Sequence, residues 1–123
     1  EWEKAVKHCK KALDNTMYLT PEKAYYNLGM SYMRLGKYDD SIDAFNNAIR
    51  RYPNLYHAFY SLALAYNEKK QYGEAAASMK KALEIDPRFK GDRAKAEAAF
   101  RPEIAIDALE RKDLRNYLEI LKY

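Results

Sequence analysis

The chain has 123 residues, 48 % of them hydrophobic and 33 % charged, with a formal net charge of +4. Those proportions belong to a folded chain rather than a disordered one, and the length suits one small domain or a short repeat array. A single cysteine, Cys9, excludes a disulfide scaffold, the cations are mixed with anions rather than gathered as in a nucleic-acid groove, and no apolar run approaches the roughly 18 residues of a membrane span.

Four glycines and four prolines are few breakers for this length, which favours long helices. The first predicted element, WEKAVKHCKKALD within residues 1–15, is an amphipathic helix with Trp2, Val6 and Cys9 on its apolar side. The chain opens directly on this helix. The side is therefore expected to lie exposed and to pair, so that the chain forms a homodimer through this end. In the loop that follows, DNTMYLTPEK, Thr20 is placed to cap the next helix with Pro21 at its first position.

Over residues 22–55 the apolar positions Tyr25, Leu28, Tyr32 and Leu35 fall at helical spacing. Gly36 suits the left-handed position that ends such a helix. Ile42, Phe45, Ala48 and Ile49 then set up a second helix, which Pro53 ends. Residues 56–89 repeat this in register, 34 positions on: Leu28 returns as Leu62, Tyr32 as Tyr66, Tyr38 as Tyr72, Ala48 as Ala82 and Pro53 as Pro87. The N-terminal helix fits the same frame as a second helix, with Trp2, Ala5, Cys9 and Ala12 at the places of Tyr38, Ser41, Phe45 and Ala48. Its offset is two residues longer, which puts two extra residues in the loop. A repeat cannot bury its face alone, so at least one more repeat is expected upstream. In residues 90–123 the frame weakens: Ala96 and Glu97 stand where Leu-Gly would, and Pro102 interrupts. A short helix near 92–100 is expected there. Helical segments follow, in which Leu114, Tyr117, Leu118 and Leu121 form an apolar stripe, the pattern of a terminal cap.

The pattern Tyr25-x2-Leu28-Gly29-x2-Tyr32, Ser41-x3-Phe45, Pro53, and its second copy Phe59-x2-Leu62-Ala63-x2-Tyr66, Ala75-x3-Met79, Pro87, resembles the tetratricopeptide repeat. The resemblance covers roughly residues 22–89. It implies an all-α fold, a right-handed superhelical stack of helical hairpins closed by a C-terminal capping helix, with residues 1–123 as a single domain. It also implies a non-catalytic protein-binding scaffold, with a peptide or helix held on the concave face that the first helices line. Carried over by position, the exposed groove residues would be Lys23, Tyr26, Met30, Met33 and Arg34 in the first repeat. In the second they would be His57, Tyr60, Leu64, Asn67 and Glu68. Tyr26, Met30, Met33, Tyr60 and Leu64 would give this groove an apolar floor, suited either to a partner's apolar side chains or to the cap helix, or a neighbouring molecule's helix, folding over it. The subclass that clamps a C-terminal carboxylate uses Lys and Asn where this chain has Tyr26 and Met30, so that mode is not expected. A narrower resemblance lies in ALDNTMYLTPEKAYYNLG, which is similar to the pilotin-type repeat lipoproteins of bacterial type IV pilus biogenesis. It implies a periplasmic location, a lipid-anchored N-terminus and a role in secretin assembly.

Motifs for catalysis are missing: there is no phosphate-binding glycine loop, no H-E-x-x-H, no C-x-x-C and no G-x-S-x-G. His57 and Ser61 are four residues apart on one helix face, without the carboxylate and oxyanion donors of a triad. His8 and Cys9 are neighbours and point to different faces, so they do not make a metal site, and Cys9 reads as a small core residue. No cofactor, metal or enzymatic activity is expected. Five of the twelve tyrosines, Tyr25, Tyr32, Tyr38, Tyr66 and Tyr72, fall at repeat-packing positions. Nucleic-acid binding, the competing reading of aromatics among basic residues, would reveal itself by a steep loss of affinity with salt.

Overall fold

The computed structural model describes residues 1–15 and 20–123. Among the described residues the regular structure is seven α-helices and one 3₁₀ turn, with no strand: α1 Trp2–Leu13, α2 Pro21–Arg34, α3 Tyr38–Arg51, α4 Tyr56–Glu68, α5 Tyr72–Ile85, α6 Arg93–Ala99, the 3₁₀ turn Pro102–Ile104 and α7 Ala108–Ile120. Consecutive helices from α1 to α5 pack on one another, α2 with α3 and α4 with α5 forming the two hairpins, while α7 turns back onto α4 and α5.

Each hairpin closes by the same device. After α2, Gly36 takes φ +73°, its N–H donates to the Met33 carbonyl at 3.0 Å and the Lys37 N–H to the Tyr32 carbonyl at 2.9 Å. This paired bonding satisfies the last carbonyls of the helix and reverses the chain. After α4 the same two bonds form from Lys70 and Gln71 to Asn67 and Tyr66, with Lys70 in the left-handed conformation at φ +60°. The second helices end at Arg51 and Ile85, two residues before Pro53 and Pro87. Thr20 does sit at the start of α2, with Pro21 at the first position, but its side chain makes no capping hydrogen bond, so the proline's fixed φ carries this start. The insertion expected in the loop before it falls largely on residues 16–19, outside the described residues.

Packing inside a hairpin is close. A Cβ on Gly29 would come within 2.5 Å of the Phe45 ring, so the backbone of α2 can meet this fully buried ring only because position 29 has no side chain. In α3 and α5 the positions facing the partner helix, Ser41, Phe45 and Ala48, then Ala75, Met79 and Ala82, are sealed. At the equivalent positions of α1 the result is mixed. Cys9 is buried, as its reading as a small core residue has it, and Val6 is buried with it, both packed with Leu28 and Ala44, which corrects the expectation that this side of α1 lies open. The reason is that α2 already covers that side of α1. Trp2 is 46 % exposed, and Ala5 and Ala12 are only half-buried.

The C-terminal part builds a second layer over α4 and α5. Asp92 caps α6 by accepting from the Lys95 N–H at 3.1 Å. Asp107 caps α7 by accepting from the Glu110 N–H at 2.8 Å, while the Glu110 carboxylate accepts from the Ile106 N–H at 2.8 Å. These reciprocal bonds start α7 at a defined residue. Phe89, Ala96, Phe100, Ile120 and Leu121 then join Met79, Ala82 and Leu83 in one core.

Candidate partner-binding face

The first helices of the repeats, α2 and α4, line the side on which α7 lies. Lys23 is exposed near the start of α2. Tyr26, one turn on, is half-buried, its ring 5.7 Å from that of Phe45. Met30 is half-buried, and the Ser61 hydroxyl donates to its sulfur at 3.4 Å, joining α2 to α4. Ser61 thereby turns to Met30 and forms no hydrogen bond with His57, which stands exposed with its ring 4.3 Å from that of Tyr56. A cavity of about 340 Å³ opens here. Tyr26, Met30, His57 and Ser61 form one wall, and Phe100, Glu110, Asp113 and Leu114 the other.

The second-repeat half of the expected groove is covered. Tyr60 and Leu64 are each 5 % exposed, not open to water as their positions imply. Above them lie Phe100 and Tyr117, whose rings sit 6.0 Å and 5.6 Å from the Tyr60 ring, with Leu114 and Leu118 packed on the same cluster. Met33 is half-buried where the two repeat cores meet. Arg34 faces Asp113 of α7 at 3.6 Å, and Glu68 faces Lys112 at the same distance. Asn67 accepts from the Tyr123 hydroxyl at 2.5 Å. Of the ten predicted groove residues, Lys23, Tyr26, Met30 and His57 are thus left facing space, Met33 sits between the two repeat cores, and α7 and the residues after it engage or cover Arg34, Tyr60, Leu64, Asn67 and Glu68.

The Tyr60 hydroxyl is committed elsewhere. It donates to Asp86 Oδ2 at 2.7 Å, and Arg88 meets the same fully buried carboxylate through its guanidinium at 2.8 Å and its backbone N–H at 3.0 Å. Burial alone would raise the Asp86 pKa, but the bonds from Arg88 and Tyr60 outweigh it and hold the carboxyl below its ordinary value. Burial and the bond to Asp86 keep the Tyr60 phenol protonated far above the ordinary range. Asp113 behaves in the opposite way: burial pushes its pKa up, against the pull of Arg34. Burial also raises the Tyr117 phenol, with the Asp113 charge adding to it. Sequence reasoning did not find the Asp86–Arg88 pair. The available signal was Asp86 itself, which stands before Pro87 where the first repeat has the exposed Tyr52.

Among solved structures the chain is similar to one titled "MamA RS-1 ArsTM double mutant", with a TM-score of 0.64 and 18 % identity over 98 % of this chain and 66 % of that one. At this identity the likeness is one of fold, and the chain spans only that share of its neighbour's length. No curated protein matches the chain. The tetratricopeptide repeat profile matches residues 26–88, more than half of the sequence and the same two hairpins whose turns, close contacts and proline stops are described above. The chain belongs to the tetratricopeptide repeat family.

Proposed function

We propose that the chain is a non-catalytic interaction scaffold that takes a segment of a partner protein on its concave face, at Tyr26, Met30 and His57. Tetratricopeptide repeats are generally interaction repeats that bind proteins, which supports the class of function. The observation that carries the site is the cavity beside α2. Tyr26 rests on Phe45 on one side and opens to the cavity on the other, and Met30 keeps part of its surface free. An aromatic and a thioether side by side make an adaptable apolar seat, and exposed Lys23 and His57 flank it to orient polar groups of the partner. A preformed helical array loses little conformational freedom on binding. The test is capture of a partner by the full chain beside Tyr26→Ala/Met30→Ala, the two first matched in circular dichroism. Loss of the partner in the variant supports the site. Equal capture removes the site from this face. Tyr60 is unsuitable as a probe, because its side chain belongs to the core.

A second copy of the chain is the partner proposed for α1. Trp2 is exposed there, and the helix carries Glu1 and Glu3 at one end and Lys10 and Lys11 at the other, so an antiparallel pair of α1 helices sets opposite charges together. Light scattering over a concentration series should show a dimer for the unsubstituted chain and a monomer for Trp2→Glu. A monomer throughout the series would remove this reading.

A further inference from the structure

We propose that α7 is a built-in occupant of the concave face, and that the partner which takes its place is an amphipathic helix patterned like α7. The inference rests on the concave face being the binding surface. It adds what kind of segment binds and what moves first.

α7 meets α2 and α4 in the manner of a bound helix. Its apolar side, Leu114, Tyr117 and Leu118, lies over the cluster that holds Tyr60 and Leu64. Its polar flank pairs with the groove rim: Asp113 with Arg34 and Lys112 with Glu68, both at 3.6 Å. Covering the end of the array requires contact only with the last hairpin, α4 and α5, and Phe89, Ala96, Phe100, Ile120 and Leu121 provide it. The pair with Arg34 reaches past that hairpin to α2 of the preceding repeat. An end cap has no need of this contact. A groove ligand does.

The hold on α7 is unequal along its length. At the C-terminal end Ile120 and Leu121 are buried, the Arg93 guanidinium donates to the Leu121 carbonyl, and Tyr123 bonds to Asn67. At the N-terminal end Leu109 is 43 % exposed and Ile106 is 92 % exposed. Besides Leu114, the ties there are two ion pairs: Lys112–Glu68 is exposed, a kind of contact that contributes little and weakens with salt, and Arg34–Asp113 is mostly covered, so that the cost of burying the Asp113 charge offsets the attraction. The cavity runs along this loosely held half, between Tyr26 and Met30 on one side and Asp113 and Leu114 on the other. Opening therefore begins at the N-terminal half of α7 and hinges on its anchored end. The incoming helix offers a carboxylate to Arg34, followed by apolar residues one, four and five positions later, as Leu114, Tyr117 and Leu118 follow Asp113.

The probe is a fluorescent peptide of residues 107–123 added to the full 123-residue chain. Leu114→Ala/Leu118→Ala in the chain weakens its own α7 and should raise affinity for the peptide about ten-fold or more, since a competing internal segment lowers apparent affinity. Adding Arg34→Glu should remove most of that gain. Equal peptide affinity in the unsubstituted and the double-substituted chain, with helical circular dichroism retained, overturns the proposal. If the variant unfolds, amide exchange on the unsubstituted chain decides. Residues 111–115 should exchange about 100-fold faster than residues 118–121, and equal protection overturns the proposal. Peptide binding that fails while capture still depends on Tyr26 and Met30 removes the internal occupant and leaves the groove standing. The opposite pair of results removes the groove reading of the cavity alone.

Discussion

The two complete repeats place the same residue type in the same register and give it opposite surroundings. Tyr26 of α2 and Tyr60 of α4 stand 34 positions apart in equivalent places. Tyr26 is half-buried beside a cavity, whereas Tyr60 is covered by Phe100 and Tyr117 and bonded to Asp86. Met30 and Leu64 repeat the contrast four residues later. The repeat sets which side a residue faces. Whether that side meets water depends on α7, a segment some fifty residues away in sequence from α4. A groove position inferred from register is therefore a statement about direction and not about exposure.

Truncating the two tyrosines is the strongest way to break the comparison. Tyr60→Ala empties a sealed site and takes one donor from the buried Asp86 carboxylate, which should cost about 3–5 kcal/mol in urea denaturation. Tyr26→Ala removes a half-exposed ring and should cost about 1 kcal/mol. Equal losses would mean that α7 does not cover α4 in solution.

The next effect concerns Asp86, whose counterpart in the first repeat is the exposed Tyr52. Asp86→Ala leaves the Tyr60 hydroxyl without its acceptor and should cost about 2–3 kcal/mol near neutral pH. The sign with pH follows from the lowered pKa. The contribution of Asp86 is fully present above its unfolded value of 3.8 and is lost as pH falls through the still lower folded value. The difference between parent and Asp86→Ala should therefore shrink in acid. Asp113 carries the opposite sign, since its pKa is raised: its ionised form weighs against folding as pH rises above 3.8, and Asp113→Asn should gain on the parent over that range. Denaturation midpoints at several pH values read both.

Position 29 sharpens the comparison at the level of packing. Gly29→Ala must push the fully buried Phe45 ring aside and should cost about 1–3 kcal/mol. Its counterpart is already alanine: Ala63 is sealed in the same core cluster as the narrower and more flexible Met79. Phe45→Met combined with Gly29→Ala copies the second repeat and should recover part of the loss. A double-mutant cycle with no coupling would show that the two residues do not meet.

These residues also mark what was legible in the sequence. The hairpins, their turns and their stops rest on local chemistry, the apolar spacing, Gly36 and the two prolines, and the structure follows them closely. The direction of the groove residues was readable for the same reason, because register is a property of each helix alone. That the cap helix could fold over the groove's apolar stripe was one of two open readings, but that it covers Tyr60 and Leu64 was not legible, since this depends on where residues 93–121 fold back and no residue in α4 records it. Cys9 was legible as a small core residue, but that the α1 side it shares with Val6 is already covered escaped for a related reason: one helix face serves two neighbours, and the sequence shows the apolar side without showing which neighbour takes it.

The smallest difference between the repeats lies in their turns. Gly36 and Lys70 are equivalent, and both adopt positive φ after the first helix. Glycine takes that conformation freely, while lysine brings a Cβ against the following carbonyl at a cost of roughly 1–2 kcal/mol. Lys70→Gly relieves this and gives back part of the gain through the extra freedom of glycine in the unfolded chain. The net result should be about 0.5–1 kcal/mol of added stability. Nothing lies within 4 Å of a Cβ on Gly36, so Gly36→Ala tests backbone strain free of any clash and should cost a similar amount. Opposite shifts of the denaturation midpoint in the two variants would show that both hairpins close by one backbone geometry. A loss of stability in Lys70→Gly would mean that the lysine side chain contributes more to the second turn than its backbone conformation costs.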